Sequence, residues 1–111
     1  MKFVADLKQL KNQGWVIDRA AEVSILKIVL SHNGSELDKY IACFRVMINN
    51  MKNNIRAESD RYSNNPPING QCITSFIGSQ RTTQNHTLNY SLRLYFIQPE
   101  KKIYKFEVLH G

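Results

Sequence analysis

Five side chains near the end of the chain have the types needed for metal-free phosphodiester chemistry: Arg93, Tyr95, Lys105, Glu107 and His110. In that chemistry a base takes a 2′-hydroxyl proton, a cation steadies the charge building on phosphate, and an acid protonates the leaving 5′-oxygen. Leu92, Leu94 and Phe96 alternate with Ser91, Arg93 and Tyr95. This period of two predicts a strand with Arg93 and Tyr95 on the face away from the core. After the polar turn Gln98-Pro99-Glu100-Lys101, the run Ile103 to Val108 predicts a second strand. Its expected buried set is Tyr104, Phe106 and Val108, which leaves Lys105 and Glu107 on the same face as Arg93. Strict alternation groups His110 with the buried set, so joining the other four requires the terminus to bend to the sheet edge. Arg81, His86, Tyr90, Lys101 and Lys102 are further candidates for contact with nucleic acid.

Each of these residues has a plainer role available. Arg93 can be a solvated cross-strand partner of Glu107, and Lys105 a charge that protects an exposed strand from aggregation. Tyr90 and Tyr95 can be half-buried strand residues. Arg81 and His86 can be solvated loop residues, and His110 a frayed terminal one. The set weighs more than its members because basic and aromatic groups converge on one expected face.

The elements that must position them follow from pattern. The 111 residues fit one domain, 1–111, with a single core. Phe3, Leu7 and Leu10 recur at helical spacing before Gly14, which predicts a helix over 3–13 followed by packing of Trp15, Val16 and Ile17. Residues 18–30 fit helix through Ala20, Ala21 and Glu22, and strand through Val23, Ile25, Ile28 and Val29; helix is preferred. Ser31-His32-Asn33-Gly34 reads as a loop, and Ser35-Glu36-Leu37-Asp38 resembles a capping box. From there Leu37, Ile41, Phe44, Ile48, Met51 and Ile55 keep the 3.6 period and predict a long amphipathic helix facing a sheet. Tyr62 to Gly70 reads as a loop and Gln71 to Ile77 as a strand. The polar stretch Gly78 to Thr87 reads as a linker or a functional loop. The expected fold is α+β: N-terminal helices packed on a C-terminal antiparallel sheet of three or four strands, with one sheet face open to solvent.

Composition narrows the function. Lys and Arg number 15 against 9 Asp and Glu, a net charge of +6, with a pI near 9.5. That excess favours nucleic acid or another polyanion as partner, with solubility alone as the alternative. The spacing shows no His-x-x-x-His, Cys-x-x-Cys, Gly-rich phosphate loop or G-x-S-x-G elbow, so no metal or cofactor is expected. Cys43 and Cys72 read as reduced core thiols. Asp6 and Lys8 interrupt any leader-like apolar run, and Val23 to Leu30 is too short to span a bilayer, so a cytoplasmic protein without membrane contact is expected.

The segment Ser91-Leu92-Arg93-Leu94-Tyr95-Phe96, a short turn and a last strand ending in His110 resemble the end of RelE/ParE-superfamily toxins. The resemblance extends more loosely to barnase- and colicin-like ribonuclease toxins and covers about the last quarter of the chain. It implies a metal-independent endoribonuclease that cuts RNA, usually mRNA on the ribosome, and is silenced by a cognate antitoxin or immunity protein. It implies that Arg93 contacts phosphate and that His110 is catalytic. The chain departs from that pattern in its longer region before Ser35, in the Gly78–Thr87 loop and in the glycine after His110. Two other readings stand beside it. One is a non-enzymatic, winged-helix-like nucleic-acid binder, with the Tyr90–His110 hairpin as wing. The other is a protein-binding or immunity module with no nucleic-acid role.

Overall fold

The stripe of the long helix organises the molecule. In the computed structural model, which describes residues 2–110, this helix is the third of three, and all three bury apolar side chains in one common core. The order is α1 (Lys2–Asn12), β1 (Val16–Ile17), α2 (Arg19–Ser31), α3 (Gly34–Lys52), β2 (Glu58–Ser59), β3 (Gln71–Thr83), β4 (His86–Ile97) and β5 (Lys102–His110). Phe44 of α3 is fully buried, its ring 5.1 Å from Phe3 of α1 and 5.9 Å from Phe106 of β5. One side chain thus ties two helices to the sheet. Burying a side chain of this size stabilises by roughly 1.5–3 kcal/mol. Arg45 of α3 adds a paired hydrogen bond to Asp6 of α1, with its Nε 2.9 Å from Oδ2.

The fold is α+β, but the sheet differs from expectation. It has five strands in the order β1-β5-β4-β3-β2, and it is mixed because Val16 and Ile17 run parallel to Lys102 and Ile103. A strand therefore lies among the helices, so the chain does not divide into helices first and sheet last. Two-residue strands such as β1 and β2 have no periodicity to detect. Residues 18–30 are helical, as preferred. Gly14, at φ 93°, ends the first helical segment in the left-handed region that glycine adopts freely.

Three local expectations also change. The long helix starts at Gly34 with Asn33 as its N-cap, and no side chain closes the cap, so the Ser35 box is not used. Ile55 falls beyond the helix and is exposed. The stretch Gly78 to Thr87 is not a linker. It forms the outer halves of β3 and β4, paired through Gly78↔Tyr90, Ser79↔Asn89, Gln80↔Leu88 and Arg81↔Thr87. These arms bury no continuous apolar face, so backbone pairing holds them without hydrophobic alternation. No described helix is long and apolar enough to cross a membrane.

Candidate functional site

The sheet face turned away from the helices is shaped by a loop with a buried carboxylate at its root. Asp60 is 7% exposed and accepts four hydrogen bonds. The backbone N–H groups of Tyr62 and Ser63 donate to Oδ1 at 3.0 Å each, and the hydroxyls of Ser63 and Tyr104 donate to Oδ2 at 2.6 and 2.7 Å. This is Asx-turn chemistry, with a strand tyrosine added as a clamp. Burial opposes the charge of Asp60, but these donors outweigh it and hold its pKa at about 2. Tyr104 is raised, first by burial and then by the carboxylate it donates to. Gly70 closes the loop: its N–H bonds the Pro67 carbonyl at 2.9 Å, and a Cβ there would come within 2.8 Å of the Tyr104 hydroxyl.

Tyr104 reaches Asp60 because the ladder between β4 and β5 slips: Tyr95 pairs with Lys105 but Phe96 with Ile103. Tyr104 is the extra residue, so it leaves the expected buried set and turns to the loop. Bulges re-aim side chains in this way.

The loop brings Tyr62 onto Arg93, whose guanidinium lies 3.5 Å from the ring centroid. Arg93 also donates through Nε to the Thr74 hydroxyl at 2.9 Å and through a terminal nitrogen to Tyr95 Oη at 3.5 Å. Glu107 is its register partner, yet among the described residues no carboxylate lies within 4.0 Å of Arg93. Glu107 is instead held by the Tyr95 hydroxyl at 2.7 Å and by Lys105 Nζ at 3.0 Å. Burial works against the Glu107 charge, but these two donors keep its pKa below the usual carboxylate range. Tyr95, fully buried, is pushed up to about 12, chiefly by burial, with Glu107 adding and Arg93 opposing. At neutral pH the group is therefore an arginine cation, a protonated phenol and a carboxylate, held on an aromatic base. On the same face Phe76 is 63% exposed, diagonal to Arg93 across the Thr74–Arg93 pair.

Four of the five expected catalytic residues thus meet: Arg93, Tyr95, Lys105 and Glu107. His110 does not join them. It pairs with Tyr90, an odd number of residues along from the Arg93–Glu107 pair and therefore on the helix side, and its ring is edge-on to Tyr90 at 5.0 Å. The terminus follows strict alternation because His110 is still inside a paired strand. Arg81 and His86 are exposed at the hairpin tip. Lys101 and Lys102 lie at the other end of β4, where Lys102 faces Asp18 at 3.7 Å. At roughly 3.3 Å per residue, the length of β4 separates these lysines from the tip. They do not form one surface with Arg81 and His86.

Tyr62, Asp60 and Phe76 were not among the expected site residues. Asp60-Arg61-Tyr62-Ser63 carried the only advance signal, an aspartate positioned to cap its own loop. Cys43 and Cys72 are free thiols; Cys43 Sγ lies 2.9 Å from the Ser75 hydroxyl. Among the described residues no three His, Cys, Asp or Glu side chains form a group able to hold a metal ion. Compared with protein-family models, curated proteins and solved structures, the chain matches none.

Proposed function

We propose that the protein binds single-stranded RNA across the sheet face that carries Arg93. The observation behind this reading is that Arg93 is positioned without a carboxylate partner, against Tyr62 and beside the exposed Phe76. An oriented cation on one aromatic ring, with a second exposed ring on the same face, suits a phosphate flanked by stacked bases, and single-stranded RNA is bound in this way on other sheet proteins. The net charge of +6 adds a general attraction. Fluorescence anisotropy of a labelled oligoribonucleotide over a salt series tests it. Affinity is expected to fall steeply with salt. Arg93→Ala is expected to weaken binding about tenfold and to reduce the slope of log K against log salt by about 0.7, the loss of one single-strand phosphate contact. Binding that ignores salt, or an Arg93→Ala protein that binds like wild type, would rule the reading out.

Glu107 favours a second reading, metal-independent RNA cleavage as in a toxin silenced by a cognate antitoxin or immunity protein. Its carboxylate lies on the Arg93 face, where a base for a 2′-hydroxyl is required, and the Tyr95 and Lys105 donors that keep it ionised also make it a weaker base. Tyr95 at about 12 and His110 on the other side leave the general acid unassigned. Incubation of the folded protein with RNA, followed on a gel, separates the readings. Cleavage that drops roughly 100-fold in Glu107→Gln supports a nuclease. RNA left intact by the wild type leaves binding alone.

A further inference from the structure

The helix side of the sheet holds a groove of about 900 Å³, bordered by the end of α2, the start of α3 and the outer parts of β3, β4 and β5. Its size falls within the roughly 300–1,000 Å³ of sites that take small molecules. Two features mark it. Lys27 and Lys39 both border it, and among the described residues neither has a carboxylate within 4.0 Å. Two aromatic pairs form its walls: Tyr90 with His110 at 5.0 Å, and His32 with Tyr40 at 4.3 Å. Among the described residues two acids border it. Glu36 is 3.7 Å from His32, and Glu107 is held by Tyr95 and Lys105 on the opposite face. Lys39 reaches down over Gly78 of β3, its Nζ 3.6 Å from where a Cβ would be.

We propose that this groove is a second site, separate from the Arg93 face, and that it takes a nucleoside monophosphate, either free or as the 5′-phosphorylated end of an RNA strand. The two lysines meet the phosphate, and the rings of Tyr90, His110 and His32, the last backed by the buried Tyr40, flank the base. A phosphate dianion matches two ammonium groups that no carboxylate among the described residues compensates, and a planar base matches walls of rings.

Two-dimensional NMR with AMP as probe tests this. AMP is expected to shift the amide signals of Lys39, Tyr90 and His110, while adenosine at the same concentration shifts them far less. Lys27→Gln/Lys39→Gln is expected to weaken AMP binding at least tenfold. Both lysines are exposed, so this protein should melt like wild type. Titration with 5′-phosphorylated and 5′-hydroxyl oligoribonucleotides distinguishes the two sources. If the phosphorylated strand shifts the groove signals and binds at least tenfold more tightly than the 5′-hydroxyl strand, the natural occupant is an RNA end; equal affinity of the two strands, with AMP still shifting the groove signals, indicates the free nucleotide. Unmoved groove signals with both AMP and the phosphorylated strand, or unchanged AMP affinity in the folded double variant, would overturn the assignment.

Discussion

Phe44→Ala is expected to lower the unfolding free energy by about 3–5 kcal/mol, the usual loss for removing a buried phenylalanine and leaving a cavity. Phe44 is fully buried between Phe3 and Phe106, so the groups around it belong to two other elements, α1 and β5, and cannot all collapse into the space. Domains of this size are stable by only about 5–15 kcal/mol, so much of the margin disappears. Urea unfolding followed by circular dichroism measures it. A loss under about 1 kcal/mol would show that α3 is not seated on the sheet as described.

Asp60→Ala has the second largest expected effect, because it strands two backbone N–H groups and the hydroxyls of Ser63 and Tyr104 in a partly buried place. Each stranded group costs on the order of 1–3 kcal/mol, and water entering the opened loop recovers part, so a net loss of roughly 3 kcal/mol is expected. RNA affinity should fall with it, since Tyr62 is no longer held over Arg93. The same carboxylate gives a pH signature. Its folded pKa of about 2 is below the ordinary 3.8, so its stabilisation is complete above 3.8 and is lost as pH falls towards 2. Asp60→Asn should flatten stability over that window. An unchanged slope would remove Asp60 as the anchor.

The parts legible in the sequence were those with a repeating apolar signal. Phe44, Ile48 and Met51 announced α3 because every helical turn adds to the same stripe. Leu92 and Leu94 fixed which face of β4 carries Arg93 for the same reason. Four of the expected site residues came together because they follow that alternation. Tyr104 broke it, since one extra residue in a ladder reverses direction without changing composition. Gly78 to Thr87 was opaque because projecting strands need backbone partners more than apolar side chains. The Asp60 anchor was hidden in a segment whose asparagines and prolines reported only that the chain turns.

The placement of β5 has a consequence for how the protein is made. The last strand lies inside the sheet, between β1 and β4, so two of its neighbours wait for it. Val16 finds Lys102 only after all the helices and strands between them have been made. Until then α1 and α2 can coil locally, while Leu92, Leu94 and Phe96 keep an unpaired flank. Pairings this distant along the chain are entropically slow to form. Completion of the sheet thus waits until β5 is available, and the interval before β5 inserts is when the chain most needs protection from sticking to its own copies.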